Sequence, residues 1–241
     1  MADSDESKAR VYKSVYSRSF LAGVYDHYVL GFNMRYMWGC ATDSVLVPFF
    51  SDNFSQRHMD IGVATGYFPA TILKRPIRNQ EKHEVTLLDF NETSLNAAKA
   101  RVLSVAPNTS VDCVQADVTA PLPVSLEQSR GTYESITMFN LFHCVPGGLR
   151  KLDAIPTYAR LLTEDGSLTG CTILGRKHTT GWFSHLYLKF YNWVDFFNNW
   201  DDEREVFERV LHQEFACVET EVVGMMLLFK ASKPRGSEGT V

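Results

Sequence analysis

Short apolar runs alternate with segments of helical periodicity through the middle of the chain. The apolar runs are bounded by turn residues, whereas the segments between them place apolar side chains at three- and four-residue spacing. Such alternation predicts a parallel sheet with helices on both faces. The predicted elements are β at 58–62, α at 67–74, β at 84–89, α at 92–105, β at 111–115, β at 134–139, α at 149–162 and β at 166–174.

The last third of the chain has a different pattern. Residues 182–200 are unusually rich in aromatic side chains, a charged helix is predicted at 201–214, and strand-like runs follow at 216–223 and 225–232. Because only Gly224 separates these two runs, they predict an antiparallel hairpin at a sheet edge. One helical face of the aromatic stretch is expected to pack on the sheet. Its remaining rings indicate an apolar substrate pocket or a partner surface.

Aromatic residues also recur near the N-terminus, where the spacing of four predicts a helix with one aromatic face that ends near Gly31. A second helix is predicted from Tyr36 to Phe50, ending at or soon after Pro48. The residues that define the first aromatic face are Tyr12, Tyr16, Phe20, Val24 and Tyr28.

These patterns divide the chain into a helical N-terminal lid at 11–55 and one domain at 56–233. Within that domain, 176–200 is interpreted as an aromatic insertion that binds substrate. Residues 1–10 and 234–241 are polar and are expected to be disordered.

Composition excludes several classes of protein. A net charge of −4 with mixed charges provides no basic stripe for a phosphate backbone, so no nucleic-acid partner is expected. The five cysteines are scattered and odd in number, which disfavours a disulfide framework or a zinc site, and no other metal-ligand spacing stands out. With no apolar leader and no long apolar run, we expect a cytoplasmic protein without a transmembrane segment.

Residues 57–67 predict a strand that runs straight into a glycine turn, where nucleotide-like cofactors bind. A dinucleotide site has three glycines in the order Gly-x-Gly-x-x-Gly, but here Ala64 replaces the middle glycine and Tyr67 the third. Asp60, just ahead of the turn, is unfavourable beside phosphates and favourable beside a cationic group. The turn therefore favours a cofactor that has an amino-acid end and no phosphates.

Polar side chains also close the strands that follow. Asp89 ends the second strand, where a carboxylate can accept two hydrogen bonds from a ribose diol. Asp117 closes the third strand, where it can accept from an adenine amine while Val118 packs on the ring. Asn140 ends the fourth strand. Because the carboxyl ends of parallel strands meet at one edge of the sheet, these residues are expected to line one crevice.

Taken in order, these motifs resemble those of the class I S-adenosylmethionine-dependent methyltransferases of small-molecule type. Residues 59–66 resemble the family's first motif, 87–90 its acid-terminated second strand, 116–118 its adenine motif and 136–147 its fourth motif. The resemblance covers 56–233. It implies a Rossmann-like, seven-stranded, mostly parallel sheet with an antiparallel last strand, helices on both faces and an N-terminal helical lid.

The resemblance also implies a cofactor, S-adenosylmethionine, which leaves as S-adenosylhomocysteine. One departure lies inside the first motif, where the family usually has glycine in place of Ala64. The residues expected to bind the cofactor are Asp60, Gly62, Ala64, Gly66, Asp89, Phe90, Asp117, Val118, Asn140 and Tyr25.

Methyl transfer is an in-line displacement that needs donor and acceptor to be close, aligned and dry. The acceptor must also lose a proton. His143 follows the fourth strand and His178 the fifth, so each is a candidate general base; for His143 the alternative is a structural histidine packed in its loop. His185 is a further candidate for this role. Substrate contacts are expected from Tyr16, Trp38, His185 and Trp182.

Three functions fit these features. The leading hypothesis is a methyltransferase that acts on an apolar small molecule in secondary metabolism, with an oxygen acceptor preferred because a lone histidine base suits a phenol or enol. In the alternative, the same fold binds the cofactor but catalyses a cyclisation or pericyclic rearrangement without methyl transfer. The third hypothesis is a non-catalytic binding protein. The oligomeric state is open, with a homodimer as one alternative.

Overall fold

A computed structural model describes residues 25–235, so the predictions for residues 1–10, Tyr16 and the last residues of the tail lie outside the described part. Seven strands form its central sheet. They are β1 Arg57–Ile61, β2 Glu84–Asp89, β3 Ser110–Gln115, β4 Tyr133–Phe139, β5 Leu162–Ile173, β6 Phe215–Val223 and β7 Met226–Pro234.

The sheet has the order β3-β2-β1-β4-β5-β7-β6. The strands from β1 to β5 run parallel to one another, and β7 is antiparallel to both β5 and β6. This arrangement confirms the predicted Rossmann-like sheet with an antiparallel hairpin at its edge.

Nine helices surround the sheet in the part of the chain that the structure describes. The first is wound with the wider π-type geometry, and a π-helical turn, Thr42–Leu46, leads into the second. The helices are α1 Tyr25–Met37, α2 Val47–Asp52, α3 Tyr67–Leu73, α4 Pro76–Asn79, α5 Glu92–Val105, α6 Val124–Glu127, α7 Ala154–Ala159, α8 Trp182–Trp193 and α9 Arg204–Glu214.

Two apolar cores lie on the two faces of the sheet. Leu87 belongs to the core that α1, α2, α3 and α5 cover, whereas its neighbour Leu88 belongs to the core under α7 and α9. The two leucines separate because successive side chains of a strand point to opposite faces. Helices therefore cover both faces, as predicted. None of the helices between residues 25 and 235 has the length and apolar character needed to cross a bilayer.

Some predicted bounds were wrong for local reasons. Gly31 lies inside α1 and does not end it, and the predicted second helix is interrupted between α1 and Thr42. Pro48 lies in the first turn of α2, where a residue without an N–H breaks no helical hydrogen bond. The same rule applies to α7. It starts only at Ala154, after a 3₁₀ turn, and Pro156 therefore lies in its first turn, where its missing N–H breaks no helical hydrogen bond.

The end of the hairpin is more ordered than the sequence predicts. Pro234 is the last residue of β7, and Arg235 donates its backbone N–H to the carbonyl of Glu214 at 2.7 Å.

The turn after β1 depends on a close approach between α3 and α5. Gly66 has a left-handed φ of +67°, and a Cβ added there would lie 2.8 Å from both Cα and Cβ of Ala98. Real Cβ atoms do not approach other carbons so closely, and the left-handed conformation disfavours any other residue. Gly66 therefore fixes where α3 begins relative to α5.

We expect Gly66→Ala to destabilise the fold through this contact. Gly131 is a matched control because it has the same φ of +67° but nothing within 4 Å of an added Cβ. Gly131→Ala should cost only the left-handed strain, about 1 kcal/mol. Gly66→Ala should lower the free energy of unfolding in urea by about 2 kcal/mol more, since the helices must also move apart. Equal losses for the two variants would contradict this account.

Candidate cofactor site

A cavity of about 490 Å³ opens at the carboxyl ends of β1, β2 and β4. This volume lies in the range of small-molecule sites, and we call it the cofactor cavity. Its lining is mostly apolar and comes from five segments of the chain. These are Ile61 and Gly62; Leu88, Asp89 and Phe90; Ala116, Asp117, Val118 and Thr119; Leu141 and Cys144 to Gly147; and Asp195, Phe196 and Asn198.

Asp89 is the buried carboxylate of this cavity, with 5% of its surface exposed. It accepts hydrogen bonds from the backbone N–H of Asn91 at 2.8 Å and of Ala64 at 3.4 Å. Burial raises the pKa of Asp89 to about 6, although these backbone donors act in the opposite direction. Since a carboxylate has about four acceptor sites, Asp89 can still accept from a bound diol.

The far wall of the cavity suits a flat ring with an amine. Phe90 is half-exposed and Val118 is buried, and both lie against the cavity. Asp117 is held at the same wall because its Oδ1 accepts from the backbone N–H of Thr119 at 2.8 Å and from its hydroxyl at 2.7 Å. A planar apolar surface beside a fixed carboxylate fits an adenine and its exocyclic amine.

A second, smaller cavity of about 20 Å³ shares Gly62 with the first. We call it the inner cavity. It brings together five of the residues that the sequence predicts to bind cofactor: Tyr25, Asp60, Gly62, Ala64 and Asn140. The backbone is left-handed at Gly62, at Ala64 (φ +45°) and at Asn140 (φ +54°). Gly66 lies in neither lining and instead precedes α3.

Asp60 is the carboxylate of the inner cavity. It is 4% exposed and accepts a hydrogen bond from the hydroxyl of Thr137 at 2.8 Å. Burial raises the pKa of Asp60 to about 7; Thr137 lowers it and the nearby carboxylate of Asp89 raises it. Within residues 25–235, no cation is among the groups that shift the pKa of either carboxylate. Two buried acids of this kind fit a cofactor that has a cationic amino-acid end and a ribose diol.

His143 does not line either cavity. Its ring is 5% exposed and packs edge-on against Phe197, with 4.6 Å between the centroids, while its Nδ1 accepts from the backbone N–H of Ile173 at 3.4 Å. Burial, and then the charge of Lys151, lower the pKa of His143 to about 3. Its role as general base stays a prediction, and this placement favours the structural alternative.

The other predicted catalytic and substrate residues that the structure describes, His178, His185, Trp38 and Trp182, also lie outside both linings. His178 is half-buried in a 3₁₀ turn, and His185 is exposed with its ring edge-on to Trp200 at 5.4 Å. Trp38 is buried among the rings of α8 and the loop that follows it, whereas Trp182 is 79% exposed at the start of α8. Their contacts to substrate stay predictions.

One wall of the cofactor cavity joins two loops whose contact the sequence did not predict. It consists of Cys144 to Gly147 in the loop after β4 and of Asp195, Phe196 and Asn198 in the loop after α8. The backbone N–H of Asn198 donates to the carbonyl of His143 at 2.7 Å, which joins the two loops. Contacts between loops so far apart in the chain leave no periodic signal in the sequence.

A buried ion pair fastens the same wall. Lys151 is 1% exposed, and its Nζ donates to Oδ2 of Asp202 at 2.6 Å and to the carbonyl of Asn198 at 2.9 Å. The lysine had been predicted as part of an ordinary helix at 149–162. Its position instead ties the loop after α8 to the segment after β4.

The chain was compared with known proteins. It is 53% identical over 251 residues to the O-methyltransferase NEC2 of Pyricularia oryzae, and the match covers 95% of each chain. It is 36% identical over 222 residues to the methyltransferase ctvB of Aspergillus terreus, covering 91% of this chain and 93% of that one. The physcion biosynthesis cluster O-methyltransferase of Aspergillus chevalieri is 34% identical over 215 residues, covering 88% and 90%. No protein-family model matches the sequence.

Solved structures agree on the fold. An O-methyltransferase family protein from Burkholderia thailandensis superposes with a TM-score of 0.63 at 13% identity, over 92% of this chain and 64% of that one. At this identity the likeness concerns the architecture of the sheet and its helices.

We expect Lys151→Met to weaken the fold and loosen the wall of the cavity, because it leaves Asp202 buried without its cation. Loss of one partner of a buried ion pair should lower the free energy of unfolding by about 3 kcal/mol. Lys177→Met is the matched control, since Lys177 pairs with Glu203 at the exposed surface and should leave stability nearly unchanged. Urea denaturation measures both variants. A Lys151→Met protein as stable as the control would refute the role of the pair.

Proposed function

The chain belongs to the S-adenosylmethionine-dependent methyltransferases, and we propose that it methylates an oxygen of an apolar, aromatic small molecule in secondary metabolism. The observation that carries the proposal is the 53% identity to a protein named as an O-methyltransferase, over 95% of both chains. The relative named for a physcion biosynthesis cluster supports the assignment to secondary metabolism.

S-adenosylmethionine supplies an electrophilic methyl group on a sulfonium. In our proposal Asp89 accepts hydrogen bonds from the ribose hydroxyls, and Asp117 accepts from the adenine amine while Phe90 and Val118 enclose the ring. At about 20 Å³ the inner cavity has room for the ammonium group alone, which the charge of Asp60 favours, and the rest of the amino-acid end would lie at Gly62, which both cavities share. The turn from Gly62 to Ala64 connects these two regions, and its N–H at Ala64 already points to Asp89.

The acceptor is proposed to lie at the wall made by the loops after β4 and after α8. Val145, Pro146 and Phe196 give this wall an apolar surface, which favours a flat, weakly polar acceptor and excludes water. The ion pair of Lys151 with Asp202 holds the two loops at a fixed separation. An in-line displacement is sensitive to that separation, because it requires the acceptor oxygen to lie close to the methyl group.

The cyclisation alternative is not favoured, because the relatives are named as methyltransferases across nearly their whole lengths. A homodimer and a cytoplasmic location stay predictions from the sequence.

The proposal predicts the mass and the linkage of the product. Phenolic aromatic polyketides incubated with the protein and S-adenosylmethionine carrying a ¹³C-labelled methyl should gain one labelled methyl group, seen by mass spectrometry. Carbon NMR should place the label in a methoxy group. A C-methyl product would contradict the oxygen assignment, and an isomer of unchanged mass would support cyclisation.

A binding experiment serves as the control for the cofactor site. Calorimetry should show that the wild type binds S-adenosylhomocysteine and that Asp89→Asn binds it at least about tenfold more weakly, since a charge-assisted hydrogen bond to the ribose is lost. A wild type without affinity for this molecule would refute the proposed cofactor site.

The role of His143 is tested by the size of the effect of replacing it. A general base contributes about 10²- to 10⁴-fold to a rate, whereas we expect His143→Gln to lower kcat by less than about tenfold, since the ring does not line the cofactor cavity. His212→Gln on the exposed face of α9 controls for the loss of a histidine. A loss of about 100-fold or more, with cofactor affinity intact, would assign the base to His143 after all.

A further inference from the structure

Four polar side chains lie buried side by side in the two central strands. His58 and Asp60 of β1 pair in parallel register with Ser135 and Thr137 of β4, and none of the four is more than 4% exposed. Central parallel strands are ordinarily apolar on both faces, and a buried polar group is costly unless it is hydrogen-bonded. Such a cluster in the middle of the sheet needs an explanation beyond packing.

The four side chains form one continuous chain of hydrogen bonds. The backbone N–H of Ser55 donates to Oγ of Ser135 at 3.0 Å, and this Oγ lies 2.7 Å from Nδ1 of His58. On the other side of the imidazole, Nε2 lies 3.1 Å from Oγ1 of Thr137. Thr137 in turn donates to Oδ1 of Asp60 at 2.8 Å. The chain therefore ends on the carboxylate of the inner cavity.

The direction of every hydrogen in this chain depends on the charge of Asp60. An ionised carboxylate only accepts, so Thr137 must donate to it and can only accept from His58. The imidazole then carries its hydrogen on Nε2, and its Nδ1 accepts from the hydroxyl of Ser135. In this state each donor of the chain has an acceptor.

Protonation of Asp60 on Oδ1, the oxygen that Thr137 contacts, reverses the order. A carboxyl O–H that donates to Thr137 turns the threonine hydroxyl towards Nε2 of His58, which must then carry its hydrogen on Nδ1 and donate to Ser135. Among residues 25–235 the hydroxyl of Ser135 bonds only to Ser55 and His58, so its own hydrogen then loses its acceptor. The imidazole has one N–H in both states, and the two states differ by one proton on Asp60. The intact chain therefore favours the ionised carboxylate.

We propose that His58 and Thr137 are positioning residues for the amino-acid end of the cofactor: they orient Asp60 and favour its ionised form, and the tautomer of His58 follows the charge of Asp60. The inference rests on the proposed placement of the cofactor's ammonium group beside Asp60. Binding of that cation stabilises the ionised carboxylate and hence the Nε2–H tautomer.

The surroundings keep the imidazole neutral and dry. The rings of Phe54 and Phe50 pack on His58, with centroids at 4.4 and 5.5 Å. Burial lowers the pKa of His58 to about 3, and His83, from the segment before β2, acts in the same direction. Because the imidazole of His58 stays neutral at every pH near neutrality, a change in its NMR signals there reports a change of tautomer and not a change of its charge.

The other charged groups near this chain lie on neighbouring elements. Asp89, at the end of β2, is the carboxylate whose charge raises the pKa of Asp60. On the far side of the glycine turn, Asp26 of α1 pairs with Arg101 of α5 at 2.6 Å, and both bond to the hydroxyl of Thr65. The two carboxylates whose pKa burial raises towards neutrality are Asp60 and Asp89.

Nitrogen NMR of ¹⁵N-histidine-labelled protein tests the proposal directly, because the two tautomers have different ¹⁵N shifts. In the free wild type, the hydrogen of His58 should move from Nδ1 to Nε2 as the pH rises through about 7, the pKa to which burial raises Asp60. At a pH just below this value, saturating S-adenosylhomocysteine should move the population to Nε2–H. A His58 spectrum that responds neither to pH nor to ligand would overturn the proposal.

Two variants at one position separate coupling from folding. Thr137→Val removes the hydroxyl, so His58 should no longer respond to ligand, and calorimetric affinity for S-adenosylhomocysteine at neutral pH should fall by about tenfold. Thr137→Ser retains the hydroxyl and should restore both. A Thr137→Val protein with wild-type affinity and a ligand-sensitive His58 would contradict the proposal. If the wild type binds no S-adenosylhomocysteine but His58 still follows pH, the proposed cofactor site fails while the coupling to Asp60 stands.

Discussion

The site depends on two buried carboxylates, and no cationic side chain of residues 25–235 is among the groups that shift the pKa of either one. Asp60 is the last residue but one of β1 and Asp89 ends the neighbouring β2, and burial raises the pKa of each towards neutrality. The protein compensates the charge with donors that are fixed by the backbone: the N–H groups of Ala64 and Asn91 at Asp89, and the hydroxyl of Thr137 at Asp60. Each donor has its position because the parallel strands are in register and end at one edge. In the proposed site, the sulfonium amino acid supplies the positive charge that these donors do not.

The two ends of the site are built by different kinds of structure. The proposed cofactor end is formed by strand ends and the turns directly after them, so the sheet itself fixes its geometry. The proposed acceptor end is formed by two loops that the buried pair of Lys151 and Asp202 holds together. A family can keep its cofactor chemistry while changing the second part, since the loops carry specificity and the sheet does not depend on their sequence.

This division explains how much the sequence could predict. The order of elements, the bounds of β2 and of α5, and the residues that the strand ends and the turns after them bring to the two cavities follow from local patterns, because strand ends and glycine turns have short signatures. The wall made by the loops after β4 and after α8 does not. The placement of His143 could not be predicted, because its loop position is compatible with facing the cavity or the core. The partners of His58 could not be predicted either; only the register of β1 with β4 shows that it lies beside Ser135 and reaches Thr137.

Ala64 shows how a departure from a family motif can leave a site intact. It takes the left-handed conformation that glycine would adopt, with a φ of +45°, at a cost of about 1 kcal/mol for an alanine. In return, its N–H still donates to Asp89, because the conformation, and not the absence of a side chain, directs that group. The added methyl lies at the inner cavity, beside the proposed position of the amino-acid end. Backbone strain of this kind is typical of functional sites. It persists only where the surrounding packing holds the backbone in place, and here that packing includes the close approach of Gly66 to Ala98.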